Sequence, residues 1–192
     1  MEGSLRIIGY HTCRTNGGWR YIFENAPFIS QNNSNQWLTQ GYYFWTDSDY
    51  WAQNWGETSI RGGHAILKCI IKIDRAYLLD LVGSVSDQIK FYELLEAYHN
   101  KLKKADPNAE TPTVHAVLCA LRLKAQENKA YFPYVAIKAA DQRYEKFFYF
   151  TDKKKERVFL VTRQQLCVFE NAHNYIIEKT PIYPSAFAQG TY

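Results

Sequence analysis

The sequence predicts a single α+β domain across residues 1–192, on three observations. Apolar and aromatic runs of strand length stand beside two long stretches with helical spacing. No internal repeat, low-complexity segment or linker divides the chain. Hydrophobic residues make up 46% and charged residues 22%, a globular balance in a chain long enough to bury a core.

Taken in order, residues 5–11 (LRIIGYH) read as a buried strand. After Gly17 and Gly18, the stretch WRYIFENA puts Trp19, Ile22 and Phe23 on one helical face. Residues 27–40 are rich in Asn, Ser and Gln without periodicity, and read as a loop. GYYFWT is a strand by its aromatic density. Asp47, Ser48 and Asp49 then offer an N-cap to a helix carrying Tyr50, Trp51, Ala52 and Trp55. Gly62 and Gly63 mark a turn before HAILKCIIKID, the strongest strand, and residues 76–81 are a further candidate. Residues 84–104 read as a long helix, from the spacing of Ile89, Tyr92, Leu94, Leu95 and Tyr98 and a basic C-terminal end that suits the helix dipole. Asp106, Pro107 and Asn108 break it, and Thr111 and Pro112 open a second helix through VHAVLCALRLKA. Shorter strands follow in PYVAIKA, KFFYF, RVFLVT and QLCVFE; residues 181–192 read as irregular.

Composition narrows the function. Aromatics reach 16%, with 15 Tyr, 11 Phe and 5 Trp, so some are expected to line a ligand cleft as well as the core. The net charge of +4 is modest for a nucleic-acid footprint. The densest basic run, Lys153, Lys154, Lys155, Glu156 and Arg157, reads as a solvated turn. Cys13, Cys69, Cys119 and Cys167 have no CxxC spacing, which argues against zinc. Cys69, Cys119 and Cys167 sit in apolar runs and read as buried thiols. With no leader and no apolar run near the ~18 residues of a membrane span, a cytoplasmic protein without membrane contact is expected, or one delivered into a target cell without a signal peptide.

His11, Tyr43 and Gln165 have ordinary structural readings when taken singly: a rim histidine, a packing ring and a solvated amide. Three segments join them. YHTCRTNGGWRYIFENAPF runs strand, histidine, short helix, loop; GYYFWTDSDYWAQNWG runs aromatic strand, acidic cap, helix; QQLCVFENAHNYI closes with a polar residue before Leu-Cys-Val. In order and spread they resemble the diphtheria-toxin and poly(ADP-ribose) polymerase group of ADP-ribosyltransferases, the H-Y-[E/D/Q] class, in its Gln variant. The resemblance covers residues 7–177. It implies a split β-sheet core with peripheral helices, residues 83–128 being a helical insertion.

The resemblance also implies chemistry on NAD, the substrate, with His11, Tyr43 and Gln165 as the catalytic residues. His11 would hydrogen-bond a ribose hydroxyl, the backbone at Thr12 and the Cys13 side chain would meet the nicotinamide amide, and Tyr43 would stack on the nicotinamide ring. Trp51 or Trp55, four apart on one helical face, would cover its other side. Arg14 is the favoured diphosphate contact, with Arg61 and His64 as weaker candidates. Thr12 departs from the family's Gly and crowds a backbone approach that Gly permits. Gln165 orients by hydrogen bonds but supplies no charge and no general base, which argues against chain elongation. Glu170, an odd five residues on, is the other carboxylate choice and would face the opposite way in a regular strand. These features imply a mono-ADP-ribosyltransferase toxin or effector with a protein or nucleic-acid acceptor and a companion antitoxin. Residues 27–40 and the tail are the acceptor-recognising surfaces. An NAD glycohydrolase and a silent ADP-ribose-binding or nucleotide-binding module are the alternatives.

Overall fold

Isoleucine-bearing apolar runs form the two longest strands. Strand β1 (Ser4–Arg14) pairs antiparallel with β3 (His64–Asp74) along its whole length, from Ser4 opposite Asp74 to Arg14 opposite His64. These and the following details come from a computed structural model, which describes residues 3–31, 36–141, 146–153 and 156–190. Parts of the expected 27–40 loop (residues 32–35), Lys154 and Lys155 of the basic run, and tail residues 191 and 192 lie outside the described residues.

Between β1 and β3 the chain forms α1 (Gly18–Asn25), β2 (Gly41–Thr46) and α2 (Tyr50–Ser59). Beyond β3 come a 3-10 turn (Arg75–Tyr77), β4 (Leu78–Asp80), and the helices α3 (Val85–Ala105) and α4 (Val114–Glu127). The strands β5 (Ala136–Asp141), β6 (Lys146–Tyr149), β7 (Arg157–Leu160), β8 (Arg163–Phe169) and β9 (Ile176–Tyr183) follow, and then the single turn α5 (Ser185–Ala188). The fold is α+β. A mixed seven-stranded sheet has the order β4-β5-β8-β2-β1-β3-β9, and β6 and β7 make a separate two-stranded sheet.

Alternation along the strands sends side chains to two cores. Leu166 and Val168 of β8 and Phe44 of β2 join Ile22 of α1 and Phe187 of α5 on one face. Cys167 and Phe169 of β8 and Ile137 of β5 face the other way, under Phe91, Val117, Leu118 and Leu121 of α3 and α4. Helices α3 and α4 therefore roof one part of this sheet face, and α2 packs over another part of it, where Trp45, Ala52 and Ile66 are buried together.

Several local expectations are corrected. The 76–81 segment is the 3-10 turn followed by a strand of only three residues. The N-cap of α4 is Thr113, whose Oγ1 accepts from the Ala116 N–H at 3.2 Å, and not Thr111-Pro112. The irregular tail begins with the last residues of β9, an edge strand where Pro181 is tolerated because one side of the ladder is open, and continues into α5, anchored by fully buried Phe187. Cys119 is exposed while Cys13 is buried, because α4 turns Val117, Leu118 and Leu121 inward and its unbroken apolar run hides which face that is.

The sheet forks at its centre. β1 and β2 are paired only at Gly9 opposite Thr46 and Tyr10 opposite Trp45. At that junction the strands approach so closely that a Cβ on Gly9 would stand 2.7 Å from the Phe44 Cβ and 2.9 Å from the Ile71 Cδ1. Beyond it β1 follows β3, β2 follows β8, and a cleft opens between them.

Candidate functional site

Where the ladder stops, one side chain spans the fork. His11 lies next along β1, and its Nδ1 is 3.1 Å from the Tyr43 carbonyl oxygen. The Phe28 N–H donates to its Nε2 at 3.1 Å. Because Nε2 accepts, the ring's proton sits on Nδ1 and donates to Tyr43. Burial of the ring pushes its pKa down to about 4, outweighing the Tyr43 carbonyl, which acts the other way. His11 is thus a neutral strap joining β1, β2 and the segment after α1, and a ribose hydroxyl reaches it only by displacing the Phe28 N–H.

Tyr43 is held as firmly. Its hydroxyl donates to the Thr39 carbonyl at 2.7 Å and accepts from the Leu38 N–H at 3.2 Å. Burial raises the phenol's pKa, so what it offers a ligand is ring surface. Gln165 stands opposite Trp45 in the β2–β8 ladder, and Trp37 Nε1 donates to its Oε1 at 3.1 Å. An indole N–H only donates, so the amide must turn Oε1 toward it, and its Nε2 remains as the donating end.

One cavity of about 990 Å³ gathers these groups. His11, Thr12, Cys13 and Arg14 enter from β1, Tyr43 from β2, Trp55 from α2 and Gln165 from β8. Trp51 does not line it: its indole donates to the Thr162 carbonyl at 3.1 Å and packs at 5.0 Å from the Tyr50 ring. Of the two tryptophans, Trp55 is the one that lines the cavity. Thr12 sends its hydroxyl to the Ala52 carbonyl on α2 at 3.0 Å, so its side chain braces a helix. Burial pushes the Cys13 thiol up to about 12, which keeps it a neutral hydrogen-bonding group and not a thiolate.

The weaker candidates lie elsewhere. Arg61 is in an exposed turn. Buried His64 stacks on Tyr183 with ring centroids 4.6 Å apart. Glu170 follows β8 in a 3-10 turn, pairs with Arg122, and lines a second cavity of about 720 Å³.

Among the cleft residues that the sequence did not single out are Phe28, Trp37, Asp141 and Arg163. Arg163 was within reach, since it lies two residues before Gln165 and a strand's period of two puts both on one face. Its guanidinium lies 5.2 Å from the Trp45 ring centroid and 5.7 Å from that of Trp51, and its Nε is 3.7 Å from Asp141. Asp141 arrives only through the β5–β8 register, which pairs it with Arg163. Trp37 is positioned from the roof: Arg122 of α4 donates to Thr39 Oγ1 at 2.6 Å, and His115 of α4 bonds the Gln36 carbonyl.

Chemically the described residues of the cleft offer flat aromatic surfaces, two guanidinium groups in Arg14 and Arg163, one carboxylate in Asp141 and an oriented amide. Planar rings and diphosphates match such a set. Among the described residues, no group of three or more His, Cys, Asp or Glu side chains is placed to hold a metal, and no helix is long and apolar enough to cross a membrane. Comparisons with protein-family models, with curated proteins and with solved structures found no match.

Proposed function

We propose that the chain is an NAD-dependent mono-ADP-ribosyltransferase working in the cleft at the sheet fork. The observation that supports this is convergence: His11, Thr12, Cys13, Arg14, Tyr43, Trp55 and Gln165, drawn from four elements that span most of the chain, line one cavity. Bound NAD would supply a nicotinamide that leaves as a neutral fragment and a ribose carbon that turns positive in the transition state. The protein's tasks are then grip, orientation and electrostatic support. Tyr43 and Trp55 present ring surface to the leaving group, and Arg14 and Arg163 match a diphosphate. The Gln165 amide, held by Trp37, donates from Nε2 to a ribose oxygen.

A neutral amide at Gln165 neither activates an acceptor nor balances the developing cation, which fits transfer of a single unit to a reactive protein or nucleic-acid group. A toxin or effector role in a cytoplasm, with an antitoxin partner, belongs to the same proposal. The neutral amide equally favours water as acceptor, an NAD glycohydrolase. Engagement of both His11 nitrogens by backbone favours a silent module that binds ADP-ribose or a nucleotide. Incubation with NAD labelled in its adenylate, alone and with lysate protein, RNA and DNA, separates the three. Label in a macromolecule supports the transferase, and free ADP-ribose alone supports the hydrolase. A raised melting temperature without nicotinamide supports the silent module.

A further inference from the structure

The strands β6 and β7 stand apart from the main sheet, and both of their faces carry apolar groups. The register pairs Phe147 with Phe159 and Tyr149 with Arg157 on one face, and Lys146 with Leu160 and Phe148 with Val158 on the other. Phe148, Tyr149 and Phe150 are 54%, 59% and 65% exposed, too much for a fold that buries Phe44 and Phe187 completely. A two-stranded ribbon is marginal alone in water, and exposed rings on both of its faces mark a segment that receives something.

Charge says what that is. Residues 146–163 hold six of the chain's 23 lysines and arginines and two of its 19 aspartates and glutamates. The surplus of four equals the whole chain's net charge of +4, and the remaining positions carry 17 of each sign. The basic run that reads as a solvated turn in the sequence thus belongs to the stretch whose charge surplus equals that of the whole chain. Arg157 lies over the Phe147 ring, 4.9 Å from its centroid, so cation and ring share one face. The stretch is also flanked in sequence by two residues of the cleft wall. It leaves the main sheet after Asp141 and rejoins it at Arg163, which are paired neighbours on the cleft wall.

We infer that the β6–β7 ribbon binds single-stranded nucleic acid, with Phe148, Tyr149 and Phe150 as stacking surfaces for unpaired bases and Lys146, Lys153 and Arg157 as phosphate contacts. Exposed rings interleaved with cations fit a strand whose bases are free to stack, whereas a duplex hides its base faces. Where the ADP-ribosyltransferase proposal also holds, the ribbon delivers a base to the cleft and the acceptor is a nucleotide. Strand binding does not depend on that proposal.

The test is fluorescence anisotropy of the full chain with labelled oligo(dT), oligo(rU) and the matching duplex, in the absence of NAD. Single strands are expected to bind, with log affinity falling against log salt by about 0.7 for each phosphate contacted. Tyr149→Ala and Phe148→Ala are each expected to weaken binding about tenfold. Lys153→Glu is expected to weaken it and flatten the salt dependence, without touching an aromatic ring. Thermal melts of each variant check that the main sheet is intact. A preference for oligo(dT) or oligo(rU) assigns DNA or RNA within the proposal. Four results would overturn it: no binding at low salt, equal binding of duplex, insensitivity to both ring variants, or self-association or capture by anionic vesicles through the same rings in place of oligonucleotide binding. NAD turnover is measured separately, so loss of one proposal leaves the other standing.

Discussion

His11 offers a stability experiment that needs no ligand. In the fold its Nε2 accepts from Phe28 and its Nδ1 bonds Tyr43, so a second proton would break the first contact inside a buried site. Its pKa falls from 6.5 to about 4. The unfolded chain therefore binds the extra proton first as pH drops. The stabilisation from neutral His11 is complete above the unfolded value of 6.5 and is lost as pH falls from there toward 4. The whole shift corresponds to roughly 3 kcal/mol, of which about 2 kcal/mol is gone by about pH 5. His11→Ala removes the titration and strands a buried donor and acceptor, costing about 1–3 kcal/mol each at neutral pH. Urea melts of both proteins, near pH 7 and near pH 5, are the assay. Wild type is expected to lose about 2 kcal/mol more than the variant between the two conditions, other titrating groups such as His64 being common to both. Equal pH dependence would refute the strap. The same substitution is thus expected to lower stability as well as NAD binding, so its effect on turnover is interpretable only beside a melt.

Other perturbations follow from single contacts. Trp37→Phe removes the donor that orients Gln165, worth about 1 kcal/mol, and is expected to reduce kcat/KM for NAD cleavage about fivefold; an unchanged rate would mean that the amide's orientation is immaterial. Trp55→Ala is expected to weaken NAD binding, read from ligand-dependent melting shifts, while Trp51→Ala mainly lowers the melting temperature by loosening the Thr162 contact. The reverse pattern would return Trp51 to the site. Asp87 accepts from Arg75 at 2.7 Å and from the Asp80 N–H at 2.9 Å and is almost fully buried, so Asp87→Ala is expected to cost about 3–5 kcal/mol in denaturant melts. A loss below about 1 kcal/mol would show that the pair is as dispensable as a surface ion pair.

β2 and β3 are legible to the residue because dense aromatic or β-branched runs end at turn or capping residues. The shared cleft of His11, Tyr43 and Gln165 was legible only through the order of three segments; no single residue announces it. Asp141 was hidden because its position depends on which strands pair and in what register, a non-local property. The engagement of both His11 nitrogens was hidden for a similar reason, since one partner is a backbone N–H from the segment after α1. β9 escaped because an edge strand need not be apolar and tolerates proline. The ribbon's basic run looked like solvent-facing filler until the exposure of its neighbouring rings was known.

The central claim, that this cleft grips NAD and releases its nicotinamide, is tested most directly by chromatography of nicotinamide formed from NAD by the purified protein. Wild type is expected to release nicotinamide steadily. Tyr43→Phe is expected to retain much of that release because the ring remains, and Gln165→Ala to lose most of it at a near-native melting temperature. No nicotinamide from wild type over hours, or full release by Gln165→Ala, would contradict the account.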